Sequence, residues 1–395
     1  MRIGSPHPAW AGAAPHVEDC RRPFLRESSY TVGFEEETIL LDPATLLPVN
    51  EVDGALVRLE DDRFTCELRS AQLEVVTPAC VTVWDACREL RAGRAFAADR
   101  LVGFARILAA GVHPSSTLPI EVTDRDRYRQ IAADCPWSVR EGLPSGLHVH
   151  VGIAGPERAL AIYNAARSYL PELAALAGNS PFLGGRDAGV ASARLKLNES
   201  FPRAGIPPAF PTWDDYADFV SWGSSGGLFA DATYLWWDLR LHPVHGTLEF
   251  RVADAQTRVE ETGAVAALCQ TLVAALAARY DAGEELRVHD THRIAENRWR
   301  AAHDGLEGSL VDLDDGAPAP ARERIGRLLA LLEPFAESLG SRNELLSAWT
   351  LLAENGAERQ RRIAAEAGLE GLVLRLADET ELRAPTSGRT PARPV

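Results

Sequence analysis

Apolar and polar residues alternate with a period of two in five stretches of the chain, and each alternation predicts a β-strand with one apolar and one polar face. The stretches are 31–41 (TVGFEEETILL), 66–77 (CELRSAQLEVVT), 147–153 (LHVHVGI), 234–243 (YLWWDLRLHP) and 247–254 (TLEFRVAD). In the first, Gly33, Glu35 and Glu37 share a face, and Phe34, Glu36 and Thr38 share the other. Elsewhere His148 and His150 oppose Leu147, Val149 and Val151; Trp236, Asp238, Arg240 and His242 oppose Trp237, Leu239 and Leu241. Glu249 and Arg251 oppose Leu248, Phe250 and Val252, while Gln72 and Glu74 oppose Leu73 and Val75. Helical spacing predicts helices at 84–110, 156–178, 257–280 and 343–375, with Gly155-Pro156 opening the second. A T-x-x-E capping box, Thr257 and Glu260, opens the third.

A sheet face turned to water is also polar. Such a face usually carries Lys, Thr, Ser and mixed charge, whereas these carry His, Glu, Asp, Arg and Trp. They read as the walls of a curved antiparallel sheet that encloses a polar cavity, with helices over the apolar face. Irregular connections favour an α+β fold over a parallel α/β one. One domain is expected over 29–378, between poorly ordered tails at 1–28 and 379–395, both rich in Pro and polar residues. No internal repeat is visible.

Charge and composition narrow the classes. With 41 basic and 56 acidic residues the net charge is −15, which argues against broad nucleic-acid or anionic-membrane partners. No apolar run approaches the roughly 20 residues of a membrane span, and the N-terminal stretch lacks the apolar core of a signal peptide. A cytoplasmic location is expected. The six cysteines form no C-x-x-C pair and read as buried thiols.

Glu35, Glu37, Glu67, Glu74 and Glu249 fall on the predicted strands. Gathered around one cavity, they could not all stay ionised unaided. Arg240 and Arg251 offset only part of the charge, so divalent cations are the simplest remedy. Carboxylates with one or two imidazoles suit Mg²⁺ or Mn²⁺, and such metals beside arginines equip a site for phosphoryl transfer. Glu67 and Glu74 are seven apart, so they share a face only if a bend or bulge intervenes. No GxxxxGK[ST] loop occurs, and any nucleotide must be held another way. Two other readings stay open: a metal-dependent hydrolase built on H-V-H with His242 and His245, and a guanidino-kinase-like phosphotransferase.

Six segments occur in order: GFEEETILLD, ELRSAQLEVVTPAC, GLHVHVGI, FPRAGIPPAFPTWDDY, WWDLRLHPVHGTLEFRVADAQTR and ENRWRAAHDGLEG. As a set, over about residues 30–375, the chain resembles the carboxylate–amine ligase family, also called the type 2 glutamate–cysteine ligase family. The resemblance implies a glutamine-synthetase-like funnel and ATP-dependent amide formation through an acyl phosphate. The reactants would be an amino acid such as glutamate and an amine acceptor, and a homodimer is suggested. It assigns Glu35, Glu37, Glu67, Glu74, His148 and Glu249 to metal ions or their immediate surroundings, and Arg251 to the transferring phosphate. Arg240, Arg194, His150 and Trp237 become candidates for substrate or ATP binding. Asn297, Trp299 and Arg300 lie in a family motif near the site. Glu36, on the other face, is expected to pair elsewhere. Small residues at Ala191 and Ala193, where much of the family has an aromatic one, suggest an altered or enlarged pocket. An Ala- and Arg-rich composition adds the expectation of a specialised-metabolite substrate.

Overall fold

The computed structural model describes residues 15–27 and 29–383. Its centre is a seven-stranded antiparallel sheet: β1 (Val32–Leu41), β2 (Phe64–Cys66), β3 (Gln72–Val76), β4 (Arg106–Leu108), β5 (Gly146–Gly152), β6 (Leu239–Leu241) and β7 (Thr247–Asp254). The spatial order is β2-β3-β1-β5-β7-β6, with β4 in line with β5 on the opposite edge of β1 from β3. The ten residues of β1 bridge the two halves, Glu35–Ile39 pairing with β3 and Val32–Glu36 with β5. Phe34, Leu73, Val75, Leu147, Val149, Val151, Leu248 and Phe250 point to the helical side and form the main core.

Two long helices cover that side. Helix α1 (Val83–Arg100) opens at Thr82, whose hydroxyl accepts the Asp85 N–H at 3.1 Å. Helix α2 (Val259–Asp281) is buried along nearly its whole length. It is long and apolar enough to cross a membrane by length and composition, but protein surrounds it. Its opening lies one residue later than expected. The Glu261 carboxylate accepts the Arg258 N–H at 3.1 Å, while the Thr257 hydroxyl donates instead to the Ala109 carbonyl.

Several expected boundaries move. The 84–110 helix stops at Arg100, because Gly103 adopts a left-handed φ of 77° and the chain returns as β4. The 343–375 helix is broken twice: an extended Glu354 and a new cap at Asn355 separate Arg342–Ala353 from Gly356–Thr380, and Gly368, at a φ of 71°, kinks the latter. The 234–243 strand shrinks to β6, since Ala232–Tyr234 coil into a 3₁₀ turn. The ENRWRAAHDG motif is helical as expected, within Thr291–Asp304, whereas helices Trp213–Ser225 and Ala321–Ser338 were not anticipated. The proposed N-terminal tail is corrected at residues 17–25. Val17–Arg21 is helical, and Cys20 and Phe24, four apart, enter the core, with Phe24 5.5 Å from the Trp213 ring. The C-terminal boundary also moves, since the buried Glu381 carboxylate accepts Arg106 and the Ile107 N–H. The rest of both proposed tails, 1–14 and 384–395, lies outside the described residues. All six cysteines are free.

Candidate active site

The face opposite the helices gathers the chemistry. Antiparallel register sets Glu37 beside Glu74, Glu35 beside His148, and Glu249 between His150 and Arg240. Directly paired residues project to one face, so a single row crosses five strands. A register shift in the β5–β7 pairing between Leu147 and Val149 brings Arg251 within 3.3 Å of His148 Nδ1. Glu67 joins by a route the linear reading missed. Residues 66–77 are not one strand but the hairpin β2–β3, and Thr65 pairs with Glu74. Glu67, just beyond β2, then borders the same cavity. The odd spacing of seven is resolved by chain reversal rather than a bulge.

Glu36 faces the other way. Arg94 of α1 holds both its oxygens, at 2.8 and 2.6 Å, with both side chains fully buried. The GFEEET run is therefore two cavity acids separated by a core ion pair.

The cavity encloses about 270 Å³ and is bordered by Glu35, Glu37, Glu67, Glu74, His148, Arg194, Arg240 and Arg251 among others. Its acids divide. Burial alone would raise Glu249, but Arg240 and Arg251 hold its carboxyl well below the usual range. Burial opposes ionisation of Glu35 too, and His150 and His148 hold it low. Glu37 goes the other way, to about 7, through burial and the nearby Glu67 charge. Burial with Glu35, Glu67 and Glu37 raises Glu74 well above the ordinary range. Burial and the Arg251 charge lower His148 to about 4, leaving a neutral imidazole. Without a cation, the crowded acids thus hold their protons more tightly at Glu74 and Glu37 than free carboxyls do.

The donor set fits divalent cations. Glu35, Glu74 and His148 offer ligand atoms within 4.8 Å of one another, and so do Glu35, His150 and Glu249. Glu35 Oε1, Glu74 Oε2 and His150 Nε2 are buried without a hydrogen-bond partner. Buried polar atoms are seldom left so, and oxygen-rich sets of this kind suit Mg²⁺ or Mn²⁺.

Other expected site residues distribute unevenly. Arg251 borders the cavity and bonds Glu249 at 2.5 Å. Arg240 also borders it, but its Nε and Nη2 grip both Glu249 oxygens at 2.7 and 2.9 Å, and Nη1 reaches the Thr233 carbonyl. Arg194 is held by the Arg251 and Val252 carbonyls and packs over Gly146, where an added Cβ would lie 2.1 Å from its guanidinium. His150 Nδ1 meets the Thr247 hydroxyl at 2.9 Å, aiming Nε2 at Glu35. Trp237 is corrected: it lies in the core, 5.6 Å from Phe219 and 6.0 Å from Phe210, and its neighbour Trp236 borders the cavity. The alternation had put Trp237 on the apolar face, and the structure follows the alternation. The expectation of an enlarged pocket fails as well. Ala191 and Ala193 are buried outside the cavity lining, with Ala191 against Gly178 and Gly305.

Asn297 bonds the Val311 backbone, and Trp299 is exposed. The motif meets the site indirectly through Arg298, which pairs with Asp238 on the cavity wall and with Glu199. Sequence reasoning passed over it, and over Arg69 and Tyr128 on the wall. Gln72 lies on the wall face shared with Glu74, as alternation places it, whereas Arg69 opens the turn into β3, closed by the Gln72 N–H on its carbonyl, so its place could not be read from strand alternation.

Comparison places this geometry among known proteins. A crystal structure of glutamate–cysteine ligase from Francisella tularensis in complex with AMP superposes with a TM-score of 0.67 at 14% identity, covering 90% of this chain and 89% of that one. At that identity the likeness concerns the fold. The family profile described as glutamate–cysteine ligase family 2 (GCS2) matches residues 31–380. Two relatives from Rubrobacter xylanophilus carry the names "Putative glutamate--cysteine ligase 2-1" and "2-3". The first is 37% identical over 351 residues, 87% of this chain and 93% of the relative. The second is 38% identical over 361 residues, 89% and 97%. Fold, cavity and relatives define the class, an ATP-dependent ligase that forms an amide bond. The chain belongs to glutamate–cysteine ligase family 2.

Proposed function

We propose that the protein joins glutamate, or a close amino dicarboxylic acid, to an amine such as cysteine through an acyl phosphate. A carboxylate oxygen of the acid attacks the γ-phosphorus of ATP, the bond to the bridging oxygen breaks, and ADP leaves. The amine nitrogen then attacks the acyl carbon, the carbon–oxygen bond to phosphate breaks, and the nitrogen gives up a proton. The observation that carries this reading is the row of acids and histidines across β3, β1, β5 and β7 beside Arg251. Glu35, Glu74, Glu249, His148 and His150 would hold the cations, with Glu37 and Glu67 beside them. Bound Mg²⁺ or Mn²⁺ supplies charge neutralisation for the phosphates.

Arg251 faces the transferring phosphate, the one cavity arginine on Glu249 with a buried Nε still unbonded. Arg240 becomes a positioning residue that fixes Glu249, because its nitrogens are already engaged. The hydrolase alternative loses ground. His242 Nδ1 accepts the Val244 and His245 N–H groups at 3.3 and 3.1 Å, which ties it to the turn. A cytoplasmic location and a homodimer belong to the same proposal.

The test incubates purified protein with ATP, Mg²⁺, glutamate and a panel of amines. ADP and phosphate formed only when acid and amine are both present is the expected result. ADP with a stable phosphorylated substrate and no amine requirement would favour the kinase reading, and AMP with pyrophosphate would overturn the acyl phosphate.

A further inference from the structure

Five arginines border the cavity, and four have evident engagements. Arg240 and Arg251 bond Glu249; Arg194 bonds two backbone carbonyls 3.9 Å from Asp254; Arg127 bonds Thr233. Arg69 differs. Only 3% exposed, it donates a single side-chain hydrogen bond, from Nη2 to the Ser138 carbonyl at 3.2 Å. Its Nε is buried without a partner, and among the described residues no carboxylate pairs with it within 4.0 Å. Burial pulls it down to about 10, so it remains a cation at neutral pH, with Glu37 and Glu67 acting only from farther away. The Phe201 ring lies 5.9 Å from its guanidinium and itself meets Trp236 edge-on at 5.5 Å. A buried cation without a counter-ion is costly, and an apolar wall strengthens whatever anion pairs with it.

The guanidinium fork matches a planar carboxylate with two parallel hydrogen bonds. The acid row and Arg251 already account for the reacting carboxylate and the phosphates. We propose that Arg69 receives the non-reacting carboxylate of the acid substrate, and so selects an amino dicarboxylic acid over a monocarboxylic one. This rests on the ligase reading above.

The experiment measures calorimetric affinity of the full-length protein for L-glutamate, its α-amide, cysteine, ATP and Mn²⁺, in wild type, Arg69→Gln and Arg69→Lys, with steady-state KM and kcat in parallel. Wild type should prefer glutamate to the α-amide by roughly 10- to 100-fold, the worth of a charge-assisted bidentate pair. Both variants should lose that preference, the lysine keeping charge but not the fork. ATP and Mn²⁺ affinities should hold, and KM for the acid should rise more than kcat falls. Five outcomes overturn the proposal. Wild type may bind no acid, or bind glutamate and its α-amide equally. The loss may fall on ATP, making Arg69 a phosphate contact. It may fall on cysteine, placing the acceptor's carboxylate there. Or Mn²⁺ affinity may change alone, leaving Arg69 as charge balance for the acids. The wild-type comparison decides even if both variants fold poorly. Tight α-carboxylate-dependent binding without turnover would uphold Arg69 and sink the ligase reading.

Discussion

Glu35→Gln and Glu36→Gln change adjacent residues in the same way and should fail differently. Glu36 is fully buried, accepts two hydrogen bonds from Arg94 and one from Thr262 at 3.3 Å, and among the described residues is the only carboxylate bonded to that arginine. The remaining Arg94 donors reach the Thr257 and Gln256 carbonyls, which lead into α2. A glutamine keeps the shape but turns an amide NH₂ toward the guanidinium and leaves the Arg94 charge without its counter-ion. Breaking a buried pair from one side costs about 3–5 kcal/mol, a large share of the roughly 5–15 kcal/mol that holds a domain folded. Glu36→Gln should therefore unfold at markedly lower urea concentration and temperature, yet turn over with little change at a temperature where it stays folded. Glu35→Gln removes a charge from a crowded acid row and loses one contact with His148 at 3.1 Å, about 1–2 kcal/mol at most. It should melt near wild type while losing roughly 100-fold or more in kcat, as expected for a residue at a metal centre. Urea titration and kcat on the same preparations decide the matter. Equal loss of activity in both variants with unchanged unfolding would refute the face assignment.

Other consequences are as direct. Glu37 has its folded pKa raised from 4.5 to about 7, so the stability it contributes is complete below about pH 4.5 and lost as pH rises through 7. Glu74 shifts in the same direction, so metal-free protein should melt progressively lower between pH 5 and 7.5 in chelator, and Mg²⁺ should restore the loss at the upper end. Cation affinity should climb over the same window with proton release, read by calorimetry in buffers of different ionisation enthalpy; pH-independent affinity would contradict the protonated acids. Trp237→Ala should cost about 3–5 kcal/mol of stability by emptying an aromatic core site, whereas Trp236→Ala should change KM more than unfolding. Arg240→Gln frees both oxygens of Glu249 from their clamp and should lower kcat and stability together, with Arg240→Lys restoring only part; loss of KM alone would return Arg240 to direct substrate contact.

Alternation carried most of this site. Where a strand is straight and half-buried, period two sorts its residues without ambiguity, and β1, β5 and β7 placed Glu35, Glu37, His148, Glu249 and Arg251 together. It failed where chain reversal replaced extension, as between Glu67 and Glu74, because local spacing holds no record of a hairpin that pairs distant residues. It misplaced Arg69, which opens a tight turn rather than continuing a strand, and it was silent on helices that support a wall residue from behind, as Arg298 supports Asp238. Trp237 fails as a substrate-binding candidate because it lies on the apolar face that alternation gives it, packed in the core against Phe219 and Phe210. Helix ends slipped where a left-handed glycine or a new cap interrupts an apolar pattern that otherwise runs on.

The central claim is that this cavity activates a carboxylate by phosphorylating it. The most direct measurement supplies glutamate labelled with ¹⁸O in its side-chain carboxylate, together with ATP, Mg²⁺ and an accepted amine, and follows the label by mass spectrometry. One labelled oxygen in the released phosphate is the predicted result, since the acyl phosphate passes that oxygen to phosphorus. Amide product formed with unlabelled phosphate, or with label in AMP, would contradict it.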